Sequence, residues 1–131
     1  MAKTEKYLLD TQACYAWAAG TLPRKVEKEL LGRSGAIYYT DISAWEVLIK
    51  SKYMDVGFTY AKFWQLMDEI QAVPYRWSRR DLDRFSDLPV FKDHRDPFDR
   101  MIIAQAMVAN LTLVGGDEKY PRYRDLKTLW G

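Results

Sequence analysis

The chain has 131 residues, with 20 lysines and arginines, 18 aspartates and glutamates, and a formal net charge of +2. This length predicts a single domain over residues 1–131, and the near balance of charges excludes a dominant nucleic-acid-binding tail. The one cysteine excludes a disulfide within the chain, and no stretch has the roughly 20 apolar residues of a membrane span, so we expect a cytoplasmic protein without a membrane partner.

The first half of the chain is predicted to alternate strands with helices. KYLLD (6–10) is an apolar run typical of a buried strand, and TQACYAWAAG (11–20) is predicted to be a helix that ends at glycine. A proline near the start and a glycine at the end delimit a second helix over 22–32. The aromatic and β-branched AIYYT (36–40) predicts a strand, and the apolar spacing predicts a helix over 41–53.

The second half continues the alternation. It is predicted to contain a helix over 58–73, a short strand over 73–77, a polar helix over 78–88, a helix over 96–110, and strands over 111–115 and 128–130. Because strands alternate with helices, we expect an α/β sandwich built on a mainly parallel sheet.

Carboxylates follow several of the predicted strands. Asp10 ends the first strand, Glu46 lies in the helix that follows the second strand, and Asp117 comes shortly after LTLVG (111–115). In open parallel sheets, ligand sites lie beyond the carboxyl ends of the strands. We therefore expect these acids to meet at one edge of the sheet.

A further acid lies on the apolar face of the helix DPFDRMIIAQAMVAN (96–110). Asp99 shares that face with Ile102 and Ile103, and a carboxylate there is costly unless something compensates its charge. Asp96, by contrast, precedes a proline and is typical of an N-cap. Acids that converge in this way either retain a proton or surround a cation, and oxygen ligands favour Mg²⁺ or Mn²⁺ over zinc.

Each of these acids also has an ordinary structural interpretation. Ser43 and Glu46 fit a capping box, Asp117 can be a turn residue, and Asp10 can cap the following helix. Asp99 can simply face the positive end of its helix dipole. The joint occurrence of all four acids at one predicted edge favours the metal-site interpretation.

Other residues are assigned ordinary roles. His94, the one histidine, is predicted to be a solvated loop residue, and Cys14 is predicted to belong to the core. Tyr60, Phe63 and Trp64 are predicted to form a packing face, with a groove for a partner helix as the alternative. The basic runs RWSRR (76–80) and PRYR (121–124) are solvated faces or a phosphate-binding rim.

The motifs YLLDTQA, DISAWEVLIK and HRDPFDRMIIAQAMVANLTLVGGDEKY, with the closing LW, resemble those of PIN-domain proteins, most of all VapC-type toxins of bacterial toxin–antitoxin pairs. The resemblance implies a three-layer α/β/α sandwich that gathers acids around Mg²⁺ or Mn²⁺ and hydrolyses RNA. It implies that Asp10, Glu46, Asp99 and Asp117 are catalytic metal ligands, with Asp96 near enough to contribute.

The resemblance also implies partners. Arg95, Arg100 or the basic rim would contact the RNA backbone, and an antitoxin protein would block the site. The groove that receives the antitoxin is predicted to be lined in part by Tyr53, Phe58, Phe63 and Trp64. Homodimers are usual in the family, so a homodimer is expected here.

Two residues depart from the family pattern. Gln12 stands where relatives often have histidine, and Gly115 stands where they often have serine or threonine. The glycine supports an alternative, a catalytically weak or inactive PIN-fold module that binds RNA or a protein. A receiver-type signalling domain is a second alternative, but Asp10 lacks the adjacent acid that such a domain needs after its first strand.

Overall fold

Five parallel strands form the central sheet of the computed structural model, which describes residues 4–55 and 57–131. In chain order they are β1 (Tyr7–Leu9), β2 (Ile37–Tyr39), β3 (Val73–Pro74), β4 (Thr112–Val114) and β5 (Thr128–Leu129). Their order in the sheet is β3-β2-β1-β4-β5, and every neighbouring pair is parallel. The predicted α/β class with a mainly parallel sheet is confirmed.

Six helices connect the strands in the described part of the chain. They are α1 (Thr11–Ala19), α2 (Arg24–Leu31), α3 (Asp41–Tyr53), α4 (Tyr60–Glu69), α5 (Arg79–Asp87) and α6 (Pro97–Val108), and a 3₁₀ turn follows β4 at Tyr120–Arg122. The helix predicted over 58–73 is shorter because Thr59 caps its start and Gln71 takes a positive φ of 54° before β3. Among the described residues, no helix combines the length and apolarity needed to cross a membrane.

The sheet separates two hydrophobic cores, as a three-layer α/β/α sandwich requires. Tyr7 and Leu9 of β1 point into a core shared with α1, α2 and α4, whereas Leu8 between them points into a core shared with α6. This alternation follows from the two-residue period of a strand. The predicted three-layer α/β/α sandwich is confirmed.

The aromatic residues of α4 and the segment before it belong mostly to the first core. Phe63 and Phe58 are 0% and 6% exposed, and Phe63 packs edge-on against Trp64 with ring centroids 5.0 Å apart. The predicted packing face is confirmed for Phe63 and Trp64, whereas Tyr60 is 38% exposed. Cys14 is buried in the same core, as predicted. Phe63 is fully buried and cannot line an open groove, so that part of the antitoxin-groove prediction is wrong. Phe58 does border an open cavity of about 610 Å³, which also includes Lys62 of α4.

The topology also determines where a ligand can bind. The chain order runs outward from β1 through β2 to β3, then returns to the other side of β1 with β4. Ligands of open α/β sheets bind beyond the carboxyl ends of the strands at such a reversal point. Asp10 directly follows β1, and Asp117 lies in the loop after β4, so both lie at this point.

Candidate metal centre

A cavity of about 350 Å³ opens at the carboxyl edge of the sheet. Its lining residues are Asp10, Thr11, Gln12, Tyr15, Glu46, Lys50, Asp96, Asp99, Asp117 and Tyr120. The structure therefore places the four predicted acids, and Asp96, around one cavity. They come from four separate parts of the chain: the end of β1, the middle of α3, the start of α6 and the loop after β4.

Asp10 is both a helix cap and a cavity residue. Its Oδ1 accepts a hydrogen bond of 2.7 Å from the backbone N–H of Ala13, while its Oδ2 accepts one of 2.5 Å from the hydroxyl of Tyr120. Burial raises the pKa of Asp10 to about 6, although both hydrogen bonds act to lower it. Nearby Glu46 and Asp117 raise this pKa further.

Glu46 is not part of a capping box. Thr40 caps α3, and Ser43 lies inside the helix with its side chain fully buried, so the capping-box interpretation of Ser43 and Glu46 is wrong. Instead, Oε2 of Glu46 lies 3.1 Å from Nζ of Lys50, one turn along the helix. Oε1 is buried and has no hydrogen-bond partner among the described residues.

The start of α6 presents two carboxylates to the cavity. Oδ1 of Asp96 accepts hydrogen bonds from the backbone N–H groups of Phe98 at 2.8 Å and Asp99 at 3.2 Å, so its predicted N-cap role is confirmed. Asp99 is partly exposed to the cavity, whereas Ile102 and Ile103 beyond it are fully buried. Burial, and after it the charges of Asp96 and the other acids, raises the pKa of Asp99 to about 7.

Asp117 combines a turn with a contact that the sequence analysis missed. Its Oδ1 accepts a 2.9 Å hydrogen bond from the backbone N–H of Lys119, which is the predicted turn geometry. Its Oδ2 lies 3.3 Å from Nε2 of His94, and Nε2 is also 3.8 Å from Oδ2 of Asp99. His94 is 4% exposed, so the prediction of a solvated loop histidine is wrong. The available signal was its position immediately before the motif that carries Asp96 and Asp99.

The sequence departures at positions 12 and 115 have structural explanations. A Cβ atom on Gly115 would overlap the carboxylate of Asp10, so this glycine provides the space that the Asp10 side chain occupies. Oε1 of Gln12 accepts a hydrogen bond of 3.3 Å from the backbone N–H of Gly116. Gln12 therefore connects the start of α1 to the loop after β4, where Asp117 lies.

The donor groups of the cavity fit a divalent cation. Carboxylates that would repel one another are held close together in this cavity. Burial disfavours their charged forms and so raises the pKa of Asp10 and Asp99. Without a cation, a bound proton is what compensates their charge. Oε1 of Glu46 and Nε2 of His94 are among the buried polar atoms that lack a hydrogen-bond partner in the part of the chain that the structure describes. Since buried polar atoms are normally satisfied, both need a partner, which a bound cation or a shared proton would supply.

The two arginines predicted to contact RNA differ in their exposure to solvent. Arg95 is exposed beside Asp96. Arg100 is 8% exposed, its Nη1 donates a hydrogen bond of 2.9 Å to the carbonyl of Pro89, and its guanidinium lies over the ring of Phe85. Because these contacts hold Arg100 inside the fold, its predicted role in RNA contact is wrong.

A family model and several solved structures match this chain. The family model described as PIN domain matches residues 7–126. No curated protein matches the chain significantly. Among solved structures, VapBC2 from Rickettsia felis, bound to a DNA fragment from its promoter, matches with a TM-score of 0.71 and 19% identity, covering 96% of this chain and 99% of that one.

Two other solved structures match over nearly their full length. DNA-bound VapBC from Salmonella typhimurium has a TM-score of 0.66 at 16% identity, covering 95% of this chain and 97% of that chain. VapBC-1 from nontypeable Haemophilus influenzae has a TM-score of 0.68 at 12% identity, covering 95% of this chain and 96% of that one. At these identities the likeness concerns the fold.

Proposed function

Because the chain belongs to the PIN-domain family, we propose that it is a divalent-metal-dependent endoribonuclease, a single domain that acts in the cytoplasm as the VapC-type toxin of a toxin–antitoxin pair. The observation that carries this proposal is the shared cavity of Asp10, Glu46, Asp99 and Asp117. These four side chains would hold Mg²⁺ or Mn²⁺, and Asp96 lies in the same cavity. A bound ion would supply Lewis-acid chemistry at this site, namely activation of water and stabilisation of negative charge on the phosphate.

The residues around the acids prepare them for this role. Tyr120 orients Oδ2 of Asp10, and Lys50 holds Oε2 of Glu46, so that Oε1 of Glu46 is left for the ion. The partial exposure of Asp99 leaves the cavity open to a phosphate of the substrate. The exposed side chain of Arg95 would contact the backbone of a single-stranded or looped RNA.

The departure at Gly115 does not count against catalysis. The glycine has a packing reason, the close approach of the Asp10 carboxylate, and this reason is independent of lost activity. The inactive-module alternative therefore loses its main support from the sequence.

An antitoxin protein is the proposed partner, since the structural neighbours are VapBC complexes. An apolar pocket of about 210 Å³ beside the start of α6 is a second candidate surface for a protein partner, besides the predicted groove at α4. Its lining includes Trp45, Trp77 and Phe98, and Trp45 and Trp77 are 56% and 43% exposed. Homodimerisation remains a family-based proposal.

Metal-dependent cleavage by the purified protein tests the proposed activity. We expect hydrolysis of unstructured RNA in Mg²⁺ or Mn²⁺, loss of cleavage in EDTA, and its return when excess metal is added. Because water is the proposed nucleophile, the products should carry no 2′,3′-cyclic phosphate. Cleavage that persists in EDTA would contradict the proposal, and metal binding without cleavage of any RNA would favour the inactive-module alternative.

A further inference from the structure

His94 lies against the acids of the cavity and has one ring nitrogen without a partner. It is 4% exposed, and its Nε2 has no hydrogen-bond partner within residues 4–55 and 57–131. This atom faces two carboxylate oxygens, 3.3 Å from Oδ2 of Asp117 and 3.8 Å from Oδ2 of Asp99. A buried nitrogen in this position needs a proton shared with a carboxylate or a bound cation.

The spacing of these atoms fits ligands of one ion. His94, Asp99 and Asp117 each offer one atom, and the three atoms lie within 4.8 Å of one another. Metal–nitrogen and metal–oxygen bonds of about 2.1 Å place neighbouring ligand atoms roughly 3.0–3.5 Å apart. The separation of His94 from Asp117 is in this range, and the separation from Asp99 is slightly longer.

The other side of the imidazole is fixed. Nδ1 of His94 lies 2.6 Å from the hydroxyl oxygen of Tyr123, which is 2% exposed and packs edge-on against Phe91. Metal-ligating histidines usually donate their second ring N–H to a fixed acceptor, which sets the tautomer and directs the other nitrogen to the metal. Tyr123 can accept this hydrogen bond, and Nε2 then carries the lone pair toward Asp99 and Asp117.

We propose that His94 is a nitrogen ligand of the bound ion together with Asp99 and Asp117, and that this ligand makes the site select Mn²⁺ over Mg²⁺. The proposal deepens the proposed function, because it concerns the metal chemistry of the same cavity. Imidazole is a good ligand for transition metals, whereas Mg²⁺ binds oxygen ligands almost exclusively. An all-carboxylate site would lack this source of discrimination.

Pulsed EPR of bound Mn²⁺ tests the nitrogen ligand directly. The chain contains one histidine, so in protein without a histidine tag an imidazole nitrogen coupled to Mn²⁺ can come from His94 alone. We expect this coupling in the wild type and its loss in His94→Gln. Absence of the coupling from Mn²⁺-loaded wild type would overturn the proposal, even where His94→Gln fails to fold.

Calorimetric titration with each metal tests the selectivity. In His94→Gln we expect Mn²⁺ affinity to fall by about tenfold or more, while Mg²⁺ affinity changes less than about threefold. Tyr123→Phe keeps the imidazole and should keep the EPR coupling with a smaller loss of Mn²⁺ affinity. An equal fall for both metals in His94→Gln would show that His94 acts as a hydrogen-bond donor or counter-charge to Asp117, and would overturn the proposal.

These experiments distinguish a failure of the proposed His94 ligand from a failure of the proposed nuclease activity. If the wild type shows the imidazole coupling but cleaves no RNA, the His94 ligand is supported and the proposed nuclease activity is refuted. If the wild type cleaves RNA in a metal-dependent way but shows no imidazole coupling, the nuclease activity is supported and the His94 ligand is refuted.

Discussion

The hydroxyl of Tyr120 donates a hydrogen bond of 2.5 Å to Oδ2 of Asp10, joining the turn after β4 to the end of β1. Both side chains are buried, at 2% and 3% exposure. The same bond is one reason why the pKa of Tyr120 is raised well above its usual value, although burial is the largest cause. The carboxylate of Asp10 is thus held in one orientation toward the cavity.

Replacing Tyr120 with phenylalanine should weaken metal binding. Tyr120→Phe removes a hydrogen bond that lowers the pKa of Asp10, so a proton competes better with the ion for this carboxylate. We expect metal affinity near neutral pH to fall by about tenfold, measured by calorimetry. Tyr7→Phe is the matched control, because the Tyr7 hydroxyl also donates to a carboxylate, 3.0 Å away on Glu29. Unchanged affinity in Tyr120→Phe would contradict the positioning role.

Adding a single methyl group at Gly115 should disturb the site. The new Cβ atom would overlap the carboxylate of Asp10, so Gly115→Ala must displace that side chain or the loop after β4. We expect a loss of about 1–3 kcal/mol in the free energy of unfolding, measured in urea, together with weaker metal binding. Gly57→Ala, whose Cβ would meet nothing within 4 Å, is the control. Wild-type stability and metal affinity in Gly115→Ala would be inconsistent with this packing.

Without metal, the protein should become less stable as pH rises. The pKa values of Asp10 and Asp99 rise from 3.8 to about 6 and about 7 on folding, so the native state binds more protons than the unfolded state between these limits. The free energy of unfolding therefore falls from about pH 4 to about pH 7 and then levels off. Excess Mn²⁺ or Mg²⁺ should offset this loss at neutral pH.

Asp99→Asn isolates one contribution to this pH dependence. Because an amide does not ionise, the variant should be more stable than wild type at neutral pH in EDTA, by an amount on the order of 1–3 kcal/mol. The difference should disappear toward pH 4. Urea unfolding at several pH values measures both effects, and parallel curves for the two proteins would refute the assignment to Asp99.

Arg95, which precedes α6, and Arg100, which lies within it, should have different functions. Arg100→Met loses the hydrogen bond to Pro89, so we expect it to reduce the free energy of unfolding by about 1–3 kcal/mol and to leave RNA affinity unchanged. Arg95→Met should leave stability unchanged and weaken RNA binding, with a smaller salt dependence than wild type. Urea unfolding and RNA titrations in Ca²⁺ at two salt concentrations distinguish these roles. The opposite pattern would contradict the assignment.

Local patterns in the sequence predicted the fold well. The apolar runs of β1 and β4, the proline at the start of α6 and the strand–helix alternation were enough for the mainly parallel sheet, whereas the three-layer order came from the resemblance to PIN-domain proteins. The positions of Asp10 and Asp99 followed from the same reasoning, because the end of a strand and the apolar face of a helix are local features. Their convergence on one cavity also follows from the topology of a parallel sheet.

Features that depend on distant contacts were not predictable in this way. His94 lies in a loop by its sequence, and its burial comes from Tyr123, which is separated from it by 29 positions. Tyr120 gave no signal of its contact with Asp10 for the same reason. Arg100 was expected to contact RNA because of the family resemblance, yet its guanidinium is satisfied by a carbonyl and an aromatic ring inside the fold.

The most direct test of the central claim compares RNA cleavage by wild type, Asp99→Asn and Asp83→Asn in Mn²⁺, Mg²⁺ and EDTA. Asp83 is an exposed acid on α5 outside the cavity, with a side chain that is 65% exposed, and so controls for the loss of one negative charge. The account predicts that wild type and Asp83→Asn cleave RNA only with metal, and that folded Asp99→Asn is at least about 100-fold slower. Equal cleavage by all three proteins would contradict it.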